Sequence, residues 1–297
     1  MSQPDIPFPQ SPVLPTMVDE KHVIEFSCHK GISCWNACCS NIDISLTPYD
    51  VLRMKKRLGL SSGEFLKNYT VPYEMDKDSI AGVKFRPVED GTACRFMKPE
   101  GCGIYEDRPT ACRYYPVALL SMRRQDENVD RDSYAMVKED HCKGHEVNRR
   151  ITIADYRKEQ GLEEYDELAR GWRQLVLKKK SSGATIGKPT LRSRQLFFMA
   201  CYDIDRFREF VSAESFGKLF ALKKEEKDLL LADDIALLQF AFRFLHQVLF
   251  GEESIALNAE AAQERLVKVQ EKRLIEEREA AKKRALAAEN EGDEGFD

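Results

Sequence analysis

Eight of the nine cysteines lie between Cys28 and Cys142, and only Cys201 stands apart. Their layout is Cys28-x5-Cys34-x3-Cys38-Cys39, then Cys94-x7-Cys102-x9-Cys112, then Cys142. That density approaches a disulfide scaffold. Disulfides need an oxidising compartment, though, and the opening residues MSQPDIPFPQSPVLP carry neither the basic start nor the apolar run of a secretory signal. The adjacent pair Cys38-Cys39 also bridges to itself only with backbone distortion. The expected setting is therefore the cytoplasm, where clustered thiols act as metal ligands or redox groups. Soft thiolates select zinc, copper(I) or iron–sulfur units over magnesium or calcium. Neither the paired CxxC knuckles of zinc ribbons nor the ferredoxin spacings are present. The spacing thus points to a thiolate metal site without naming the metal. Eight thiolates suffice for two four-coordinate centres, or for one cluster with the others free.

Four of the five histidines share this region: His22, His29, His141 and His145. An imidazole can replace a thiolate at zinc or iron, but a surface histidine beside a ligand is the commoner case. Cys201 falls in a helical, aromatic-rich stretch and reads as a small buried hydrophobe. Arg108 and Arg113 flank Cys112. A metal held by four thiolates is negatively charged, so these guanidinium groups either offset that charge or pair with Glu106 or Asp107 nearby. Trp35, Tyr105, Tyr114 and Tyr115 either shield the site or simply pack. Glycines in Pro99-Glu-Gly101-Cys102-Gly103 would let backbone N–H groups approach sulfur, or would merely make a turn.

These residues resemble the YkgJ-type cysteine cluster proteins, a family with a CxxCxxCC signature. The likeness is carried by Cys28-His-Lys-Gly-Ile-Ser-Cys34-Trp-Asn-Ala-Cys38-Cys39, by Leu46-Thr-Pro-Tyr-Asp50, and above all by Cys94-Arg-Phe…Gly-Cys102-Gly-Ile-Tyr105-Glu-Asp-Arg108-Pro109-Thr-Ala-Cys112-Arg113-Tyr-Tyr-Pro116. It covers about residues 21–150. The first block departs from the family's spacing, with x5 and x3 where the short signature has x2 and x2. The resemblance implies chelation of zinc or iron, or binding of an iron–sulfur cluster. One branch is similar to flagellin lysine-N-methylase, which keeps a metal-dependent protein methyltransferase open as an alternative. From the residues and this likeness together, the metal ligands are expected to be Cys28, Cys34, Cys38, Cys39, Cys94, Cys102, Cys112 and Cys142. Arg108 and Arg113 are expected at the cofactor. An iron–sulfur cluster or iron is favoured over the alternative, a structural zinc site in an interaction module.

The elements that must position these groups follow from pattern. The chain has 297 residues, 42% of them hydrophobic, enough for a packed core. Five of the twelve prolines fall in the first fifteen residues, so residues 1–20 read as an extended, disordered arm. Thr47-Pro48 opens a helix that ends near Gly59, and a second begins at Ser62. The pair is expected to cover the first cysteine block. Short β-prone pieces follow at Val83–Phe85, Cys94–Phe96, Val117–Met122 and Tyr134–Val137, the last two as a hairpin. Residues 21–150 form the cysteine domain. A capping-box-like start at Thr152 leads into helices, broken at Gly161, with a polar linker from Lys178 to Pro189. Helical spacing of Leu196, Phe197, Ala200, Ile204, Phe207 and Phe210, and of Leu238, Phe242, Leu245 and Leu249, makes 151–255 a bundle. Residues 256–297 are rich in Ala, Glu, Lys and Arg and read as a charged helical tail. The fold class is α+β, mainly α: an irregular cysteine-rich domain with small β-hairpins, a helical bundle and a charged C-terminal helix. The helical half is a candidate surface for a protein partner.

A net charge of -4 gives no basic surplus for a nucleic acid, and no apolar run is long enough to span a membrane. No phosphate-binding loop, dinucleotide fingerprint, HExxH or Gly-x-Ser-x-Gly elbow occurs. A nucleophilic pair such as Cys28 with His141 explains less than a metal site does.

Overall fold

The computed structural model describes residues 13–75, 80–122, 131–181 and 189–264, with single positions at 267, 270, 271 and 278. Small antiparallel sheets fill the first half. Strand β1 (Val13–Val18) comes first, and β2 (Val23–Glu25) and β3 (Ser45–Leu46) come next. Helices α1 (Pro48–Leu58) and α2 (Ser62–Tyr69) lead to β4 (Thr70–Glu74) and β5 (Ala81–Phe85). A tight hairpin, β6 (Met97–Lys98) and β7 (Gly101–Cys102), precedes the short helix α3 (Thr110–Tyr114). The expected hairpin is β8 (Val117–Met122) and β9 (Arg131–Val137), and β10 (Arg150–Thr152) closes the strand-bearing half. The strand orders are β1-β9-β8, β10-β2, β3-β5-β4 and β6-β7.

Helices make up the rest: α4 (Ile153–Glu159), α5 (Leu162–Ser181), α6 (Leu191–Tyr202), α7 (Ile204–Ser212), α8 (Glu214–Leu219), α9 (Lys224–Ala232) and α10 (Asp234–Phe250). The chain is thus α+β and mainly helical. Among the described residues no helix is long and apolar enough to cross a membrane.

Local chemistry sets the boundaries. Thr47 caps α1 by accepting from the Asp50 N–H, and Asp50 reaches back to the Thr47 N–H, a reciprocal capping box with Pro48 in the first turn. Gly59 ends the helix at φ 66°. Ser61 and Glu64 repeat the box for α2. Thr152 caps α4, and Gly161 at φ 64° separates α4 from α5. Asp233 caps α10, whose buried residues, Leu237, Phe240, Ala241, Phe242, Phe244 and Leu245 among them, cover more than half of its circumference.

Two cores result. The larger joins Leu46, Tyr49, Met54, Phe65, Val83 and Phe85 to Leu175, Phe197, Phe207, Phe244 and Leu245, so the bundle packs directly on α1, α2 and β5. The smaller gathers Ile24, Phe26, Tyr114, Val117, Tyr134, Ile153, Tyr156 and Leu162 beneath the β1-β9-β8 sheet.

Three details differ from the sequence reading. Residues 13–18 are strand β1 against β9 instead of part of a free arm, while residues 1–12 lie outside the described residues. Cys94–Phe96 is no strand. It makes a single bridge to Pro87 and then turns, with the Met97 N–H donating to the Cys94 carbonyl. Helix α5 runs through Lys178–Ser181, into the stretch read as linker, and 182–188 lie outside the described residues. Of the charged tail, residues 259–264 are helical, and most of 265–297 lies outside the described residues.

Candidate metal centre

All nine cysteines are free thiols. Cys201 is buried in α6, at 1% exposure, and burial holds its thiol well above the ordinary range. It is the small core residue that its surroundings suggested. The other eight sit on irregular segments tied to each other by backbone hydrogen bonds.

The first block, residues 28–39, is clamped from two directions. On one side the Ser27 N–H donates to the Gly144 carbonyl (3.0 Å), and the Lys143 N–H donates to Cys34 Sγ (3.2 Å). This sets Cys28 and Cys34 beside Cys142. Only glycine fits at 144, because a Cβ there would stand 2.5 Å from Phe26 Cε2. On the other side the Cys94 N–H donates to the Cys39 carbonyl (2.7 Å), and the Ile42 N–H to the Thr92 carbonyl (2.9 Å). Asn36, in the left-handed region at φ 65°, donates from Nδ2 to the Lys98 carbonyl (2.8 Å). Trp35 lies against Gly101, whose φ of 133° and 3.0 Å clearance to the indole both demand glycine.

The β6–β7 hairpin carries Cys102 opposite Met97, and the Gly103 N–H donates to the Phe96 carbonyl (2.8 Å). The two sulfurs at its ends share one pattern. Burial raises both thiols, and backbone N–H groups pull against it, those of Phe96 and Met97 at Cys94 and that of Ile104 at Cys102. Such donors stabilise sulfur charge and tune metal–sulfur units.

Cys112 is placed from a distance. Asp50, fully buried, accepts from the Thr110 N–H (2.8 Å) and Oγ1 (2.7 Å) as well as from the Thr47 N–H. One carboxylate therefore joins the start of α1 to the start of α3. The sequence reading missed this role of Asp50. Its signal was present as the third helical position after Thr47. The expected lid is not what α1 and α2 form, since α1 is buried against α5, α6 and α10 and meets the 105–110 loop through Asp50, Arg53 and Arg57.

The thiols feel one another. Burial raises the Cys28 thiol, and the charges of Cys38, Cys34 and Cys142 raise it further against the opposing pull of Arg108. Burial likewise raises Cys94, Cys102 and Cys112, and the Cys112 thiol is lifted further by Cys94, Cys102 and Cys38. Cys38 and Cys39 are 4.0 Å apart, sulfur to sulfur. The hydrogen bond from Cys39 holds Cys38 down to about 7, and Cys39 is pushed up in return. Such a set stays mostly protonated at neutral pH until a cation compensates the charge, so metal binding here releases protons. Among the described residues no three His, Cys, Asp or Glu side chains stand in ligating geometry. The donor chemistry nevertheless fits a soft metal: sulfur predominates, the Lys143 N–H already donates to Cys34 Sγ, and the charge of Arg108 acts on Cys28 and Cys102.

The two arginines part company. Arg113 is buried and donates to the carbonyls of Arg108 (3.0 Å), Gln160 (2.6 Å) and Glu106, while covering the Tyr165 ring. It fastens the 105–113 loop to the end of α4. Arg108 donates to the Tyr105 carbonyl (2.9 Å) and Gln160 Oε1 and retains its influence on the thiols. Neither takes the carboxylate of Glu106 or Asp107, because Asp107 binds Arg53 (2.7 Å) and Glu106 faces Arg57. Of the aromatics, Trp35 does cover part of the site, while Tyr105 is 56% exposed and shields nothing. The Tyr114 hydroxyl donates to Asp166.

The histidines stand aside. His29 Nδ1 meets the Lys30 carbonyl, and His141 meets Glu139 (3.6 Å). The His145 ring lies against Phe26, and burial lowers its pKa.

Comparison with known families gives one match. Residues 27–143 match the CxxCxxCC family, described as "Putative zinc- or iron-chelating domain". No curated protein and no solved structure matches the chain. The matched span holds all eight clustered cysteines and the bond from the Lys143 N–H to Cys34 Sγ, so the likeness to this family rests on the cysteine-bearing segments.

Proposed function

We propose that the chain is a cytoplasmic metal-binding protein that holds an iron–sulfur cluster or iron through Cys28, Cys34, Cys38, Cys39, Cys94, Cys102, Cys112 and Cys142. The observation that carries this reading is the pinning of the cysteine segments to each other, by the Lys143 N–H on Cys34 Sγ and the Cys94 N–H on the Cys39 carbonyl. A sulfur-dominated donor set selects soft metals, and N–H···S bonds with Arg108 nearby would temper the negative charge of an iron–thiolate unit. Protein purified without oxygen should be brown, with visible absorption that dithionite bleaches and an iron signature by EPR or Mössbauer spectroscopy. Colourless protein with stoichiometric zinc would defeat the iron reading.

Structural zinc is the second reading, and one observation favours it. The segments bearing the thiols bury little: the 3₁₀ turn Ala37–Cys39 has no buried residue, and β6 is exposed on both positions. A bound metal would then supply folding energy that the loops lack. Under this reading chelation melts the cysteine segments, and no redox signal appears.

A further inference from the structure

We infer that Arg53 is a positioning residue of the metal centre: from α1 it holds Asp107 in the loop between Cys102 and Cys112, and so governs how tightly that part of the centre keeps its metal. This role rests on the metal-binding reading above and adds to it the element of the helical core that controls retention.

Nine residues separate Cys102 from Cys112. They do little to fix themselves. The 3₁₀ turn Tyr105–Asp107 buries no residue, and the Asp107 and Arg108 N–H groups make only the local bonds of the turn, at 2.8 and 3.4 Å. Support comes from outside, on two sides. Arg113, from α3, grips the carbonyls of Glu106 and Arg108. Asp50, Arg53 and Arg57 grip from α1, where spacings of three and four residues set them on one face. Asp50 takes the Thr110 N–H and hydroxyl. Arg53 donates from Nε (3.0 Å) and Nη2 (2.7 Å) to Asp107 Oδ1. Arg57 stands 3.8 Å from Asp107 and 3.9 Å from Glu106.

Of these three, Arg53 fixes the middle of the loop. Asp50 holds the far end and is also committed to the cap of α1. The contacts of Arg57 exceed hydrogen-bond reach, and its side chain is 47% exposed, where ion pairs contribute little. The Asp107 side chain is 12% exposed, and two guanidinium N–H groups on its carboxylate make charge-assisted bonds, the stronger kind. Arg53 is braced in turn by the Tyr49 hydroxyl (3.5 Å) and Glu164 (3.7 Å), and Tyr49, part of the larger core, donates to Glu164 (2.5 Å). The guanidinium thus ties the loop to the helical core.

Metal release tests the role. The full chain is loaded with cobalt(II) or with zinc under reducing, oxygen-free conditions. A chelator then withdraws the metal, with the release rate and the cobalt–thiolate charge-transfer band as readouts. Arg53→Ala should release metal about tenfold faster, the lower end of what losing a supporting contact costs a metal site, and should shift the band. Arg53→Lys keeps the charge without the planar fork and should recover part of the rate. Arg53→Ala combined with Asp107→Ala should be no faster than the worse single variant, as for two partners of one interaction. Arg57→Ala should stay near the unsubstituted rate. In the metal-free chain, Arg53→Ala should quicken amide exchange over 105–110 and leave α10 protected, which reads the grip without any metal. Release from Arg53→Ala at the unsubstituted rate, an unmoved band, unchanged exchange over 105–110, or additive effects of the two alanines would each overturn the role and leave metal binding standing. An unsubstituted chain that binds neither cobalt(II) nor zinc would overturn both. If Arg53→Ala does not fold, Asp107→Asn weakens the same contact from the loop side and carries the same expectations.

Discussion

Around Phe244 in α10 stand the rings of Phe207, Phe210, Phe216 and Phe220, with centroids 5.6, 5.8, 6.2 and 5.8 Å away. Around Cys39 stand a backbone carbonyl bond, a neighbouring thiol and loops with scarcely a buried side chain. The two regions solve the same problem by different physics. The aromatic region removes apolar area from water, which is favourable whatever else is bound. The cysteine region sets several thiols near one another at a cost in charge repulsion and desolvation, with hydrogen bonds individually worth little net stability. One half is thus built to be stable and the other to be completed. Asp50 and the shared core around Tyr49 and Phe197 anchor the second half on the first.

Removing metal should separate the two regions most sharply. Strong chelation under reducing conditions is expected to lower amide-exchange protection about tenfold or more in 34–44, 92–104 and 142–146, because metal binding there is folding free energy. Protection in α6, α7 and α10 should hardly move. Equal loss in both halves would break the comparison. Next comes the aromatic core itself. Phe244→Ala should cost about 3–5 kcal/mol in chemical denaturation, the usual range for emptying a buried phenylalanine site, while leaving metal stoichiometry intact.

A smaller effect belongs to the joint at α2 and α7. Asp205 accepts from the Lys55 ammonium (2.7 Å) and the Ser62 N–H (2.7 Å). Burial alone would raise its carboxyl, but these partners outweigh it and lower the pKa. A depressed carboxylate contributes stability above its unfolded pKa of about 3.9 and loses it as pH falls through the folded value. Asp205→Asn should therefore cost about 1–3 kcal/mol near neutral pH, leaving the buried Lys55 only the more distant Asp234 at 4.0 Å. The penalty should fade in acid below about pH 4, as followed by urea denaturation at several pH values. A penalty unchanged down to about pH 2 would remove the ion pair from the account. Gly101→Ala should have the mildest effect on global stability, about 1–2 kcal/mol from its positive φ and the Trp35 contact. It should nonetheless weaken metal retention, read by competition with a chelator, because it displaces Cys102.

Much of this was legible in the chain. Thr47-Pro48 with Gly59, Thr152 with Gly161, and the hairpin over 117–137 are local patterns, and local chemistry decides them. The β-prone stretch at Cys94 failed because the chain turns there after a single bridge to Pro87, the Met97 N–H closing on the Cys94 carbonyl. The roles of Arg113 and Asp50 were not legible. Arg113 binds carbonyls of residues 106, 108 and 160, and Asp50 binds residue 110. Such partners are set by tertiary packing, and neither spacing nor residue type announces them. The brackets at Lys143 N–H and Cys94 N–H are hidden for the same reason, since every residue but proline carries that donor.

The most direct test of thiolate metal binding is X-ray absorption at the metal edge of the full chain, purified without oxygen. The account predicts iron in a shell of sulfur at about 2.3 Å, the metal–thiolate distance, depleted in Cys112→Ser. A shell of nitrogen and oxygen alone, or a spectrum indifferent to Cys112, would contradict it.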